Sequence, residues 1–324
     1  MAASKQTPPL ITVLGSLNMD VVSYVSRCPE AGETLASESF ALSPGGKGAN
    51  QAVACAKLSR ARTQEPGEES AHIRMLGAVG SDAYGSSLTA NLQAHGVDVS
   101  GVGVSKDHTT GVAVIVVEKN GQNRIIFSAQ ANDSLRASEV TSLPSPFPDL
   151  LIMQLEITLP TVLAAMRAAR TANVPVLLNP APAQTLPPEA YQGLAHLVVN
   201  ESEAATLAGV KGADLDTHSG LESVGAIFLG RGVKNLIITL GGRGVFYFAD
   251  GGATKGLVPA EKANVVDTTA AGDTFVGQYA LEIVGAGAGV AFDIEAAVKK
   301  ANRAAAKTVE RMGAQDSIPW RDEL

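Results

Sequence analysis

Short apolar runs alternate with segments of helical periodicity along most of this chain. Leu10–Leu14 is a continuous apolar run, typical of a strand buried in a parallel sheet, and residues 150–155 are also predicted to form a strand. In residues 271–284 the apolar positions recur at spacings of three and four, and Leu159–Thr171 has a proline at a helix-start position. Further strands are predicted at 72–79, 174–178, 197–199, 236–240 and 245–248, and further helices at 49–58, 85–95, 201–207 and 293–311. This alternation predicts an α/β fold, a three-layer sandwich with a central, mostly parallel sheet.

Four other segments resemble two pairs of strands, at 21–25 with 34–40 and at 110–117 with 124–127. Lys119-Asn120-Gly121 separates the second pair and is a strong signal for a tight turn. We predict that the four strands form a small β-sheet lid that projects from the main body. The predicted α/β body comprises residues 1–16, 43–104 and 129–324, and the predicted lid comprises residues 17–42 and 105–128.

The composition argues against several classes of function. The chain has 324 residues, 45% of them hydrophobic, which is enough to bury a full core. Its 25 Lys and Arg against 32 Asp and Glu give a formal net charge of −7, which argues against nucleic acid or an anionic membrane as a partner. Cys28 and Cys55 lie far apart, which fits a reducing compartment. Neither a signal-like apolar segment nor a run of membrane-spanning length is visible, so we predict a cytoplasmic protein.

Residues 266–275, Val-Asp-Thr-Thr-Ala-Ala-Gly-Asp-Thr-Phe, carry the clearest signal for chemistry. The helical pattern begins beyond Gly272, so Ala270, Ala271 and Gly272 should lie at a helix N-terminus. Unpaired N–H groups and the helix dipole make such a terminus an anion site, and small side chains let a phosphate approach it. Asp273 would stand beside the anion as a base for an attacking hydroxyl, as phosphoryl transfer to an alcohol requires. The alternative is an aspartate N-cap on an ordinary helix.

A glycine-rich segment, Ser-Pro-Gly-Gly-Lys-Gly-Ala-Asn-Gln at residues 43–51, precedes a helix of small residues. Its backbone could wrap a polar ligand, with Lys47 and Asn50 as side-chain contacts. The alternative is a turn followed by a helix cap. The segment is not a nucleotide P-loop, because no Ser or Thr follows the lysine.

Three more segments place polar groups at the ends of predicted strands. Glu156 could accept hydrogen bonds from sugar hydroxyls, or it could cap a helix. Asn200 and Glu203 share a face at a helix start, where Glu203 could hold the waters of Mg²⁺ or act as a first-turn capping residue. Residues 239–244, Thr-Leu-Gly-Gly-Arg-Gly, could contact the ribose or phosphates of a nucleotide, or form a simple hairpin turn. The five histidines show no metal-binding spacing.

In this order, the motifs resemble those of the ribokinase, or pfkB-type, family of carbohydrate kinases, and the resemblance covers nearly the whole chain. The segments that carry it are 15–20 (GSLNMD), 45–51 (GGKGANQ), 154–156 (QLE), 200–203 (NESE), 239–244 (TLGGRG), 267–273 (DTTAAGD) and 313–317 (GAQDS). The family implies phosphorylation of D-ribose at its 5-hydroxyl by ATP, with ribose 5-phosphate and ADP as products. Within the family, Lys47 and Ala270 favour ribose over fructose or adenosine.

The resemblance also implies roles for individual residues. Ribose hydroxyls would be held by Asn18, Asp20, Gly46, Lys47, Asn50, Glu156 and Asp273. Asp273 would be the catalytic base, and the charge on the γ-phosphate would be stabilised by N–H groups of Ala270, Ala271 and Gly272. ATP would contact Asn200, Thr239, Gly241, Gly242, Arg243, Gly244, Gly272 and Asn302. Glu203 would hold Mg²⁺ through water, and an activating K⁺ would be bound by Asp267, Thr269, Thr308, Arg311, Gly313 and Ser317. A homodimer formed through the lid is a further expectation.

Other functions remain open at this point. A kinase of another small sugar or a nucleoside, such as fructose, deoxyribose or adenosine, would use the same chemistry. A non-catalytic sugar-binding protein could keep the fold, although Asp273 beside the small-residue anion site argues against it. A Rossmann dehydrogenase is weakened by the missing G-x-G-x-x-G after the first strand.

Overall fold

The computed structural model describes residues 7–63, 68–119, 122–287 and 292–324, so the predicted Asn120-Gly121 turn lies outside the described residues. The strands within these ranges are β1 (Leu10–Leu14), β2 (Asn18–Val25), β3 (Ser39–Gly45), β4 (His72–Gly80), β5 (Asp98–Ser105), β6 (Gly111–Glu118), β7 (Asn123–Ser128), β8 (Leu150–Met153), β9 (Val176–Leu178), β10 (His196–Asn200), β11 (Asn235–Thr239), β12 (Val245–Ala249) and β13 (Thr254–Val258). The α-helices are α1 (Lys47–Ser59), α2 (Ala83–Ala94), α3 (Leu159–Thr171), α4 (Glu201–Ala208), α5 (His218–Gly230), α6 (Ala271–Gly285) and α7 (Ile294–Thr308).

The central sheet has nine strands in the order β13-β12-β11-β10-β9-β8-β1-β4-β5. The strands from β11 to β5 run parallel, and the antiparallel strands β12 and β13 extend one edge. Helices pack on both faces, so the predicted three-layer α/β sandwich is confirmed. Among the described residues, no helix combines the length and the apolar character needed to cross a membrane. The cytoplasmic location stays a prediction.

Two hydrophobic cores, one on each face, hold the three layers together. Successive side chains of a strand point to opposite faces, and in β8 Ile152 enters one core while Leu151 and Met153 enter the other. Helices α1, α2, α6 and α7 cover the first face, and α3, α4 and α5 cover the second. Both faces of the central sheet are buried, so its parallel strands consist mostly of consecutive apolar residues. This pattern made the strands predictable from the sequence.

Helices α1 and α6 approach each other unusually closely. A Cβ added at Gly277 would lie 2.5 Å from Ala54 Cβ and 2.9 Å from Cys55 N, so no larger residue fits there without a shift. The contact lies one to two turns into each helix and therefore fixes the relative position of the two helix starts. It sets Asn50 and Gln51 on α1 beside Asp273 on α6.

A separate four-stranded sheet has the order β3-β2-β6-β7, and we call it the small sheet. Its existence was predicted, but the predicted strand at 34–40 was wrong, because β3 begins at Ser39 and continues to Gly45. Residues 43–51 were predicted as a glycine-rich loop, and Pro44 within them cannot donate a ladder hydrogen bond. In the structure β3 is an edge strand, where proline is tolerated. The division of the chain into a body and a lid stays a prediction.

Three elements were not predicted: β5, α5 and β13. Strands β5 and β13 lie at the two edges of the central sheet, and both expose much of their length. Edge strands lack the continuous apolar run of a central strand, so the pattern on which the prediction rested is missing there. Helix α5 buries Leu221, Val224, Gly225 and Phe228, which recur at the spacings of three and four typical of a helix, so this helix was missed although its pattern is present in the sequence.

Candidate active site

The candidate site lies at the C-terminal edge of the central sheet, next to β1. Strand β1 pairs in parallel with β4 on one side and β8 on the other, so the chain order reverses there. Such a reversal leaves a crevice beyond the strand ends, where open α/β sheets bind ligands. The segments that leave β1 and β8 at this edge carry Asn18 and Glu156. Strand β3 returns to the same edge, because Gly45 pairs with Asn18.

The start of α1 packs directly on the backbone that leaves β1. Gly46 has a positive φ of 89°, and a Cβ there would lie 2.7 Å from Asn18 N and 2.9 Å from the Ser16 carbonyl oxygen. Only glycine combines this backbone conformation with such a close approach. The predicted glycine-rich loop is therefore the end of β3 joined through Gly46 to α1, which begins at Lys47 rather than at residue 49.

Glu156 connects three segments that are distant in sequence. Its Oε2 accepts hydrogen bonds from Ser16 Oγ at 2.6 Å, the Lys47 backbone N–H at 2.9 Å and Asn18 Nδ2 at 3.4 Å. Because Lys47 is the first residue of α1, the carboxylate also satisfies one of the unpaired N–H groups of that helix. Capping was the alternative considered for Glu156, and it occurs on a helix remote in sequence rather than on the following one.

Asp20, Glu156 and Asp273 bring three carboxyl groups to one region. Burial raises the pKa of Asp20 to about 7, and the neighbouring charges of Glu156 and Asp273 add to the shift. Lys47 is the buried cation among them: burial works to lower its pKa, but Asp273, Glu156 and Glu203 outweigh that effect and raise it. The lysine is therefore held as an ammonium group between carboxylates.

Asp273 is 7% exposed and lies in the first turn of α6. Its Oδ1 accepts a hydrogen bond from Gln51 Nε2 at 2.9 Å, and its Oδ2 accepts one from Asn50 Nδ2 at 3.1 Å. Both oxygens are thus held by neutral amides that cannot compete for a proton. Gln51 lies within the predicted glycine-rich segment, but nothing in the sequence pattern assigned it a contact with Asp273.

The N-terminus of α6 presents free backbone donors. Ala270 has a left-handed conformation with φ 60° and ψ 5°, uncommon for a residue with a Cβ, and it turns the chain into the helix. The Ala271 N–H makes a 3.3 Å bond to the Thr268 carbonyl, whereas no backbone bond from the N–H of Gly272 or Asp273 is found within the described ranges. A Cβ added at Gly272 would meet nothing within 4 Å, so open space lies in front of these donors.

One cavity of about 220 Å³ is lined both by residues of the predicted sugar site, Lys47 and Asp273, and by residues predicted to contact the nucleotide. Its lining includes Lys47, Asn200, Glu203, Thr239, Gly272 and Asp273. We call the group around Asp20, Glu156 and Asp273 the sugar side, and the group around Asn200, Glu203 and Thr239 the nucleotide side. The cavity joins the carboxylate of Asp273 to the free tip of α6.

On the nucleotide side, Asn200 and Glu203 form a reciprocal cap on α4. Asn200 Oδ1 accepts the Glu203 N–H at 2.9 Å, and Glu203 Oε2 accepts the Asn200 N–H at 2.9 Å. This is the capping box that the sequence offered as the alternative for this pair. Burial raises the pKa of Glu203, opposed by its hydrogen bond with Asn200. Thr239 Oγ1 makes a long 3.4 Å bond to the Val199 carbonyl.

Two further predicted nucleotide contacts are engaged elsewhere. Arg243 forms an ion pair with Glu201 and donates to the Leu215 carbonyl at 3.1 Å. Asn302 on α7 donates to the Pro259 carbonyl at 2.8 Å. The turn after β11 contains Gly241, Gly242 and Gly244, with positive φ at Gly241 and Gly244. These bonds show that the side chains have local structural roles.

The segments predicted to bind K⁺ converge on Asp267. Its Oδ1 accepts from Thr269 N and Oγ1 at 2.9 and 2.7 Å, and its Oδ2 accepts from Gly313 N at 2.9 Å. Burial works to raise the pKa of Asp267, but these hydrogen bonds outweigh it and lower the pKa. Thr308 Oγ1 donates to Thr274 Oγ1, Ser317 Oγ donates to the Ala314 carbonyl, and Arg311 pairs with Glu323. In the part of the chain that the structure describes, no cluster of three or more His, Cys, Asp or Glu side chains could hold a metal ion.

Comparisons with known proteins agree with this geometry. A family model described as pfkB family carbohydrate kinase matches residues 8–321. The ribokinase of Schizosaccharomyces pombe is 42% identical over 317 residues, covering 95% of this chain and 94% of that protein. The deoxyribokinase of Salmonella typhi is 34% identical over 312 residues, covering 95% of each. The structure of Arabidopsis thaliana ribokinase complexed with ribose and ATP has a TM-score of 0.84 and 28% identity, covering 97% of each chain.

Proposed function

Because this chain belongs to the pfkB family of carbohydrate kinases, we propose that it transfers the γ-phosphoryl group of ATP to the 5-hydroxyl of D-ribose. The observation that carries the proposal is the position of Asp273. Its carboxylate is held by two amides, lies in the same cavity as Lys47, and adjoins the free N–H groups at the start of α6. A base next to an anion site is the arrangement that phosphoryl transfer to an alcohol needs.

On the sugar side, the proposal assigns binding of the ribose hydroxyls to Asp20, Lys47 and Glu156, together with Asn18, Gly46 and Asn50. The hydrogen bonds of Glu156 hold the surrounding backbone in place before a sugar arrives. Such preorganisation reduces the cost of orienting the substrate. Asp273 then accepts the proton of the 5-hydroxyl as its oxygen attacks the γ-phosphorus, and the bond to the ADP oxygen breaks.

On the nucleotide side, the charge that develops on the transferred phosphoryl group would be stabilised by the tip of α6. The N–H of Gly272 and that of Asp273 carry this role in our proposal, since that of Ala271 is already bonded to Thr268. Lys47 supplies a positive charge in the same cavity. ATP would extend past Asn200, Thr239 and the Gly241–Gly244 turn toward Asn302.

Mg²⁺ and K⁺ are part of the proposal, and the available donors suit both. Glu203 contributes one carboxylate to the cavity wall on the nucleotide side, which fits a Mg²⁺ ion that keeps most of its water and neutralises phosphate charge. Asp267 lies where the 267–269 and 313–317 segments meet, so one carboxylate and several carbonyl oxygens could surround K⁺. Equal turnover in potassium and sodium chloride would argue against the K⁺ site.

The small sheet supports a further proposal, a homodimer. It exposes large apolar side chains, among them Phe40 at 58% and Ile125 at 58%, with Leu42, Val114, Ile126 and Phe127 nearby in the same sheet. Exposed apolar patches of this kind mark interaction surfaces. Light scattering coupled to size-exclusion chromatography should give twice the chain mass. A monomer at micromolar concentration would refute this part.

The experiment that tests the proposed function is sugar-dependent release of ADP. Purified protein, ATP, Mg²⁺ and K⁺ are combined with ribose, deoxyribose, fructose or adenosine, and kcat/KM is compared. We expect ribose to give the highest value. The similarity to a deoxyribokinase makes deoxyribose the main alternative substrate. A higher kcat/KM for another sugar would reassign the substrate, whereas the absence of sugar-dependent ADP release would favour a non-catalytic protein.

A further inference from the structure

We propose that Gln315 is a positioning residue for the base: it orients Asn50, and through Asn50 it orients the carboxylate of Asp273. The inference rests on the proposed function, because it assumes that Asp273 accepts the proton of the sugar. It extends that function to a residue on the far, C-terminal side of the chain.

The geometry is a continuous row of buried side chains. Gln315 is 2% exposed, and its Nε2 donates to Asn50 Oδ1 at 3.0 Å. Asn50 Nδ2 in turn donates to Asp273 Oδ2 at 3.1 Å. At the outer end, Asn91 Nδ2 donates to Gln315 Oε1 at 2.6 Å. Three amides therefore lead from α2 to the carboxylate.

The hydrogen bonds of this row all run in one direction, from donor to acceptor toward Asp273. Gln315 and Asn50 each accept through the side-chain oxygen and donate through the nitrogen toward Asp273, so the bonds strengthen one another. Without the donor from Gln315, the Asn50 amide is held at one end only, by the Asp273 carboxylate, and its oxygen has lost its partner. If that amide turned over, its oxygen would oppose Asp273 Oδ2, and a stabilising bond would become a repulsive contact.

The other oxygen of Asp273 is held by a second row that is anchored differently. Gln154 Nε2 donates to Gln51 Oε1 at 2.6 Å, and Gln51 Nε2 donates to Asp273 Oδ1 at 2.9 Å. The Gln51 amide also donates to Asn179 at 3.0 Å, so its orientation has two determinants on the sheet side. Within the described residues, the side-chain oxygen of Asn50 has one hydrogen-bond donor, Gln315 Nε2.

The loop that carries Gln315 is fastened separately, which supplies a control. Lys57 Nζ donates to the carbonyls of Gln315 and Ile318 at 2.9 and 2.7 Å, and it lies 5.6 Å from the ring centroid of Trp320. These bonds use the backbone of the loop and touch neither Asn50 nor Asp273. Lys57→Met therefore loosens the loop while it leaves the amide row in place.

Two substitutions at Gln315 separate the loss of its hydrogen bonds from the replacement of its donor by an acceptor. Gln315→Met keeps the length of the side chain and removes both the donor and the acceptor. Gln315→Glu keeps the shape but replaces the donor with an oxygen, so the Asn50 amide lies between two acceptors and cannot satisfy both with its single NH₂ end. We expect kcat to fall about 10-fold in Gln315→Met and about 100-fold in Gln315→Glu.

The deciding measurement is the ¹³C chemical shift of the Asp273 carboxyl group at one fixed pH, in protein labelled at aspartate and assigned with Asp273→Asn. Loss of the oriented Asn50 donor changes the hydrogen bonding of this carboxylate, so its signal should move in Gln315→Met, and kcat should fall with little change in the KM for ATP. Lys57→Met should lower Tm and leave the carboxyl signal and kcat where they are.

Two results would overturn the inference: a Gln315→Met protein that folds and keeps the wild-type Asp273 carboxyl signal and kcat, or an equal change of that signal in Lys57→Met, which would assign the effect to loop position. If Gln315→Glu does not fold, Gln315→Met decides alone. The NMR measurement also separates the two proposals. A wild type without sugar-dependent ADP release refutes the kinase function, whereas the carboxyl signal still shows whether Gln315 orients Asp273.

Discussion

On the sugar side of the site, Glu156 and Asp273 accept hydrogen bonds from residues more than 100 positions away, whereas on the nucleotide side Asn200 and Glu203 bond to each other across three. Asp273 is held by Asn50 and Gln51 on another helix. The sugar side is thus built by the tertiary fold, and the nucleotide side is built by local helix capping.

The difference has a functional meaning. A carboxylate that must accept a proton from one hydroxyl needs a fixed position, and long-range bonds in a buried setting supply it. In the proposed function the nucleotide side would contact a large, flexible and highly charged substrate, for which capping side chains could exchange their partners at low cost. We therefore expect substitutions on the sugar side to change kcat, and those on the nucleotide side to change stability and the KM for ATP.

The largest effect is expected for Asp273→Asn. An amide cannot accept the proton, and its NH₂ group would face the donors of Asn50 or Gln51, so kcat should fall by about 10² to 10⁴. The dissociation constant for ATP, measured by isothermal titration calorimetry, should change little. A variant with wild-type Tm and kcat within threefold of the wild type would show that Asp273 is not the base.

Asp20→Asn should have two opposite effects. The folded-state pKa of Asp20 is raised from 3.8 to about 7, so its contribution to stability is fully present below pH 4 and is lost as pH rises through 7. The neutral asparagine avoids this loss, and at pH 8 the variant should be more stable by about 2 to 4 kcal/mol. At the same pH the KM for ribose should rise about tenfold, because a charged acceptor is removed.

Urea unfolding at pH 4 and pH 8 tests the stability effect, since the gain should vanish at the lower pH. A gain of equal size at both values would mean that packing, rather than ionisation of Asp20, causes it. An unchanged KM for ribose would separate Asp20 from sugar binding and weaken the comparison between the two sides.

The smallest effect is expected for Asn200→Ala on the nucleotide side. Loss of the capping side chain should destabilise the protein by about 1 kcal/mol and raise the KM for ATP severalfold, with the KM for ribose unchanged. Ser202→Ala is a matched control, because Ser202 Oγ only donates to Asn200 Oδ1 at 2.8 Å. If Asn200→Ala lowered kcat as much as Asp273→Asn, the two sides would not differ in the way described.

Sequence reasoning reached most of the fold because buried elements leave a strong pattern. Strand Leu10–Leu14 and helix Leu159–Thr171 were predicted with both of their observed bounds. Strand β3 was misplaced because proline and glycine near its end suggest a loop, and only the tertiary structure shows that this strand lies at an edge.

Within the candidate site, local motifs predicted those features that depend on residues close together in the sequence. The capping pair Asn200 and Glu203 and the helix start at Ala271 follow from residue types within a few positions. The amide row from Asn91 through Gln315 to Asn50 does not, because its members lie up to 265 positions apart and each is an unremarkable polar residue on its own. Their partnership depends on the tertiary packing that brings α1, α2 and the segment after α7 together.

The most direct test of the central claim compares ribose with 5-deoxyribose, which lacks only the hydroxyl proposed to receive the phosphoryl group. With ATP, Mg²⁺ and K⁺ present, 5-deoxyribose should act as a competitive inhibitor of ribose and release no ADP above the sugar-free rate, while ribose yields a product whose ³¹P signal couples to the protons on C5. Release of ADP with 5-deoxyribose, or a product phosphorylated at another position, would contradict the account.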